Sequence, residues 1–163
     1  MHPGGIKRGG SAGRKAEPNM KVLLDTCVII DYLQKREPFH VDANAVMTLA
    51  ANERLQAYTT AKAVTDIYYL IHRSVHDDQK TRAILSSLLS LLQVLDSAGI
   101  DCQNALSSAI HDYEDAVMAE TAFRSGMDCI VSRNSRDYTQ AKLPVYTPGE
   151  FLRLFHSESI PCF

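Results

Sequence analysis

A chain of 163 residues, 45% of them hydrophobic and 22% charged, is long enough to bury one sizeable core without disulfide or metal staples. The formal net charge is −2; Lys7, Arg8, Arg14 and Lys15 outweigh Glu17 ahead of Met20, so the remainder from Met20 to Phe163 stands at −5. An acidic body excludes a broad nucleic-acid-binding face, which brings a basic excess, and confines any nucleic-acid contact to a local, metal-dependent one.

Cys27, Cys102, Cys129 and Cys162 show neither CxxC spacing nor histidine partners at zinc-finger distance, which argues against a redox pair or a structural zinc. No apolar run reaches the roughly 20 residues of a bilayer span. The basic N-terminus lacks the apolar stretch of a signal peptide. The cytoplasm is therefore the expected compartment, with no membrane partner.

Residues 1–19 hold five of the eight glycines and almost no large apolar side chain, a composition that cannot offset its ordering entropy. A disordered basic extension is expected there, followed by one domain over 20–156 and a tail over 157–163. Within the domain, Lys21 to Leu24 is a short apolar strand ending at Asp25, and CVIIDYLQ continues with helical spacing until Glu37-Pro38 stops it. Val41 to Asn52 spaces small and apolar residues as a helix does. LQAYTT is a second strand whose threonines can cap the helix from Ala61 to about His72. Asp77 and Asp78 open a helix with an apolar stripe of Ile84, Leu88, Leu91, Leu92 and Leu95. Gln93 to Asp96 is a third strand, and CQNALSSAI a short helix after a Ser-Ala-Gly turn. DYEDAVMAETAFRSG is a helix with acids in its first turn, Ala116, Ala119 and Ala122 along one edge and Gly126 closing it. Cys129 to Ser132 is a buried strand, a loop carries Asn134 and Asp137, and PVYTP leads as a last strand into GEFLRLF. Alternating strands and helices predict an α/β fold: a three-layer α/β/α sandwich around a mainly parallel sheet, with ligands at the carboxyl ends of the strands.

Asp25, Asp66, Asp115 and Asp137 each fall where an apolar strand gives way to polar chain or on the inner face of a helix. Together they suggest a carboxylate pocket for a hard divalent cation and hence phosphodiester hydrolysis. Mg²⁺ takes oxygen ligands in octahedral geometry and keeps several waters, so two or three carboxylates suffice to hold it. Crowded without a cation, at least one of them should have a raised pKa. Each acid also has a plainer use. Asp25 precedes a helix, where aspartate is an ordinary cap. Asp112, Glu114 and Asp115 suit a helix N-terminus, and Asp137 suits a turn. Their joint occurrence in strand–helix order favours the pocket. His72 and His76 are four apart but suit a helix C-terminus, and no GxSxG, GxGxxG or glycine-rich phosphate loop occurs.

The strings LLDTCVIIDYL, TDIYYLI, DYEDAVMAETA, VSRNSRDY and VYTPGEFL, in this order and spacing, resemble the PIN domain nucleases, in particular the toxin subunits of VapBC-like toxin–antitoxin pairs. DYEDAVMAETA resembles the family's D-x-x-x-A-x-x-A helix, and VSRN-x-x-DY its T-R-N-x-x-D-F. The resemblance covers about Met20 to Phe155. It implies Mg²⁺ or Mn²⁺ dependence, hydrolysis of RNA, a homodimer and a small antitoxin partner. Asp25 matches the acid ending the first strand and Asp115 the acid on the late helix. Asp66 stands where many relatives have glutamate, and Asn134 where many have a further aspartate, which leaves Asn134 or Asp137 open as the fourth member. Asp112 shares the pocket or caps the helix. Asp25, Asp66, Asp115 and Asn134 are the expected catalytic set; Asp25, Asp115, Asp66, Asp137 and Asp112 are the candidate metal ligands. Thr26 and Ser132 are hydrogen-bonding candidates, and Arg133 and Arg136 candidate phosphate contacts. A catalytically weak PIN-fold binding module is the alternative, motivated by Asn134 and by Asp66 in place of glutamate. A phosphotransfer domain of receiver or haloacid-dehalogenase type also places an aspartate after its first strand. The dehalogenase type needs a second aspartate where this chain has Cys27, and neither type explains Asp115.

Overall fold

The computed structural model describes residues 20–157; the expected disordered segment over 1–19 and the tail beyond Ser157 lie outside them. The run KVLL forms β1 (Lys21–Leu24), and its alternating side chains serve both faces of the sheet. Val22 and Leu24 enter one core and Leu23 the other, all three fully buried. Such two-sided burial marks an interior strand of a parallel sheet. β1 pairs in parallel with β2 (Gln56–Thr60) on one side and β4 (Cys129–Val131) on the other, with Leu23 opposite both Tyr58 and Ile130. β3 (Gln93–Leu95) and β5 (Val145–Tyr146) complete a five-stranded parallel sheet in the order β3-β2-β1-β4-β5. The α/β/α sandwich expected from the sequence is the fold observed.

The first core gathers α1 (Thr26–Leu33), α2 (His40–Ala51), α3 (Ala61–Val75), α4 (Asp78–Leu89) and α7 (Pro148–His156) through residues such as Ile29, Met47, Ile67, Leu88 and Phe151. The second lies under α5 (Gly99–Ala105) and α6 (Tyr113–Arg124). Ala116, Ala119 and Ala122 are buried along α6; their small size lets the helix backbone lie close to the sheet. Gly126 ends α6 at φ +73, a left-handed position in which the Met127 amide reaches the Ala122 carbonyl at 3.1 Å. A side chain there would cost about 1 kcal/mol.

Three boundaries differ from expectation. The short helix after β3 starts at Gly99 instead of Cys102 and ends at Ala105, because Asp101 returns a carboxylate oxygen to the Ala98 amide at 2.9 Å and caps the earlier turn. The leucine stripe of α4 stops at Leu89; Leu91 and Leu92 lie in the following turn and Leu95 in β3. Asn134 precedes a 3-10 turn, Ser135–Tyr138, in place of an irregular loop.

The chain builds β1, β2 and β3 outward in one direction, then returns to lay β4 and β5 on the other side of β1. The order therefore reverses between β1 and β4, and the crevice at the carboxyl ends of these strands is where such sheets bind ligands. Asp25 follows β1 there, and Ser132 follows β4.

Candidate metal centre

Asp25 takes the N-cap position of α1 with extended backbone (φ −65, ψ 150), yet its side chain caps nothing. Its amide extends the ladder to the Val131 carbonyl at 2.9 Å. Its carboxylate, 8% exposed, turns instead toward the β4 side. There Asp25 Oδ2 accepts hydrogen bonds from Ser132 Oγ at 2.7 Å and from the Tyr138 hydroxyl at 3.1 Å. A capping bond worth about 1 kcal/mol is forgone.

Asp115 shows the same behaviour in the first turn of α6. Asp112 is the N-cap and accepts from the Asp115 amide at 3.0 Å, so the helix end is served without the Asp115 carboxylate. Asp115 Oδ1 meets the Tyr138 hydroxyl at 3.2 Å. One buried phenol thus joins the two acids. Partial burial, the facing Asp25 and then Asp112 push the Asp115 carboxyl up to about 6, as expected for crowded carboxylates.

Asp66 lies on α3 across the same cleft, a cavity of about 420 Å³ lined by Asp25, Thr60, Lys62, Asp66, Glu114 and Asp115 among others. It does not touch the other two acids. Lys62 Nζ donates to Asp66 Oδ2 at 2.6 Å and stands 3.4 Å from Glu114 Oε2. These carboxylates, Asp66 first, raise the ammonium's pKa. Lys62 therefore bridges Asp66 on α3 and Glu114 on α6, and its charge is met by both carboxylates.

The remaining expected residues are placed less centrally. Asn134 and Asp137 are exposed; the Asn134 amide donates to Ser132 Oγ at 3.1 Å and its carbonyl accepts from the Asp137 amide at 2.9 Å. Asp137 still contributes to raising the Asp115 carboxyl. Thr26 lines the cleft, and Arg136 is exposed. Arg133 is engaged elsewhere: Nε and Nη2 donate to the buried Asp31 at 2.9 and 3.3 Å, and the guanidinium lies 4.2 Å from the Phe39 ring centroid. Arg133 anchors the segment after β4 instead of facing the cleft. Cys27 sits beside Asp25 with its thiol pushed up to about 11 by burial and then by that charge, so it stays protonated and is no nucleophile.

Tyr138, Lys62 and Asp31 are not among the residues expected from the sequence. Their signals were slight: a tyrosine where the resembled string ends in phenylalanine, a lysine four residues before Asp66 on one helix face, and an aspartate on the buried side of α1.

The donor set fits a hard divalent cation. Asp25 Oδ1 and Asp115 Oδ2 accept no hydrogen bond among the described residues, and the shared phenol has one proton for two carboxylates. Negative charge therefore exceeds its local compensation, and the ligands on offer are oxygens, the preference of Mg²⁺ and Mn²⁺. Among the described residues no three His, Cys, Asp or Glu side chains gather into a cage.

A PIN domain profile matches residues 21–136. No curated protein sequence matches the chain. Solved structures do. FitAcB from Neisseria gonorrhoeae is 19% identical with a TM-score of 0.60, covering 78% of this chain and 98% of that one. VapBC2 from Rickettsia felis, bound to a promoter DNA fragment, is 16% identical with a TM-score of 0.59, covering 77% and 97%. VapC20 from Mycobacterium tuberculosis, described as a sarcin-ricin loop cleaving toxin, is 13% identical with a TM-score of 0.52, covering 67% and 86%. Their likeness shows a shared fold, the VapC-like one, and with the profile covering most of the sequence, the chain belongs to the PIN domain family.

Proposed function

We propose that the protein is a metal-dependent endoribonuclease that hydrolyses RNA phosphodiester bonds as the toxin of a toxin–antitoxin pair. The observation that carries this reading is the pairing of Asp25 and Asp115, two carboxylates at helix starts that forgo capping and face one hydroxyl in a cleft at the sheet's switch point. Asp25 and Asp115 hold the Mg²⁺ or Mn²⁺ ion, which when bound supplies an activated water and offsets charge on the phosphate. Asp66 orients water from the far wall. Ser132 and the Asn134 amide keep Asp25 Oδ2 in place. Lys62, held between Asp66 and Glu114, reaches a substrate phosphate by exchanging one of these carboxylates for it, in keeping with a brief, confined RNA contact.

Support for RNA as substrate comes from the VapC20 likeness, and support for an antitoxin from the complexes among the neighbours. A homodimer in the cytoplasm completes the proposal. No described helix is long and apolar enough to cross a membrane. The binding-module reading has one observation in its favour: Lys62 already holds Asp66. Incubating purified protein with a pool of single-stranded and structured RNA in EDTA, Mg²⁺ or Mn²⁺ separates the two. Cleavage that requires metal and vanishes in Asp25→Asn supports the nuclease; metal binding without cleavage in any pool supports the module.

A further inference from the structure

Tyr138 is 2% exposed, and its ring lies in the second core while its hydroxyl emerges at the cleft. That hydroxyl lies 3.1 Å from Asp25 Oδ2 and 3.2 Å from Asp115 Oδ1. A lysine in that place would cancel one of the pair's two charges, as Lys62 does for Asp66; a phenol, sharing its one proton between the carboxylates, leaves the charge that attracts a cation. With Ser132 as a second donor, Asp25 Oδ2 is occupied twice, and Asp115 Oδ1 has Tyr138 alone. The rotation of an aspartate carboxylate about its last bond is broad and roughly two-fold, so these contacts decide which oxygens face the open cleft.

We infer that Tyr138 is a positioning residue for the cation: its hydroxyl occupies one oxygen of Asp25 and one of Asp115 and so presents the other oxygen of each to a common point. The inference rests on the metal-site reading above. The 3-10 turn Ser135–Tyr138 thereby has a task beyond joining β4 to β5. Partners of this kind set metal affinity by about 10- to 100-fold.

The test is calorimetric titration of the chelator-treated full chain with MnCl₂, for wild type, Tyr138→Phe and Tyr113→Phe. Tyr113 is the control: it starts the helix that carries Asp115, but its hydroxyl donates to the Cys102 carbonyl at 2.9 Å and makes no hydrogen bond to a carboxylate among the described residues. A tyrosine ultraviolet difference spectrum is recorded alongside, readable because the chain has no tryptophan. The expected result is an affinity about 10-fold weaker in Tyr138→Phe, with the metal-induced tyrosine band lost, and both unchanged in Tyr113→Phe. Equal affinity in wild type and Tyr138→Phe overturns the inference and leaves the metal site standing. Should Tyr138→Phe not fold, the wild-type spectrum decides, and Mn²⁺ binding without a tyrosine band overturns it. A wild type that binds no Mn²⁺ overturns the metal-site reading and the inference with it.

Discussion

In α7, Thr147 accepts from the Glu150 amide at 3.2 Å and Glu150 returns a carboxylate oxygen to the Thr147 amide at 3.1 Å, closing a reciprocal box. In α6, Asp112 accepts from the Asp115 amide at 3.0 Å, but the Asp115 carboxylate is turned to Tyr138. α5 sides with α7, since Asp101 takes the Ala98 amide. All three acids occupy the third helical position, where such a box stabilises the helix start. Two are spent on the fold and one is withheld from it. A stabilising use forgone at one of three equivalent positions points to another use, and the cleft beside Asp25 supplies it.

The widest separation between these helices should appear in catalysis. Asp115→Asn is expected to lower metal-dependent RNA cleavage by about 10³-fold or more, measured as initial rates at saturating Mn²⁺, while Glu150→Ala leaves the rate within about two-fold. A comparable loss in both would dissolve the distinction.

Next in size is the stability of α5. Asp101 is buried, accepts from Thr121 Oγ1 at 3.0 Å and forms a two-pronged pair with Arg124 at 2.8 Å. Asp101→Asn should cost about 1.5–2 kcal/mol by urea unfolding, since Arg124 keeps access to solvent, with Mn²⁺ affinity unchanged.

The same acids should titrate with opposite signs. Arg124 holds the Asp101 carboxyl below its ordinary value, so its contribution is present above the usual carboxylate range and is lost as pH falls through the depressed folded value. Asp115 is raised from 3.8 to about 6; its contribution is present below the unfolded value and is lost as pH rises through about 6. Metal-free wild type should therefore lose melting temperature relative to Asp115→Asn between pH 4 and 7. Because Asp115 is only half-buried, screening reduces the gap to about 1 kcal/mol, or about 3 °C. Mn²⁺ should close it.

The smallest effect belongs to the box itself. Glu150→Ala should cost about 0.5–1 kcal/mol in urea. A cost near zero would mean the α7 box contributes little, and the comparison would then rest on α5.

Much of this is legible in the sequence. A short continuous apolar run ending at Asp25 marks β1, and alanines at helical spacing with a closing glycine mark α6. Asp25 and Asp115 stood out because acids recurred after strands and at helix starts. What stayed hidden depends on partners distant in sequence. Asp31 looks like a solvated charge until Arg133, 102 positions away, is seen to pair with it. Tyr138 is an ordinary turn aromatic until its hydroxyl is placed between acids 113 and 23 positions away. The leucines after Leu89 continue a helical spacing that a short edge strand interrupts, and periodicity alone has no means to separate the two.

The central claim is that Asp25 and Asp115 share one cation. Anomalous diffraction from crystals soaked in MnCl₂ tests it most directly. A peak is expected between the two carboxylates, at about 2.1 Å from one oxygen of each. A peak coordinated elsewhere, or none at millimolar Mn²⁺ with both side chains well ordered, would contradict it.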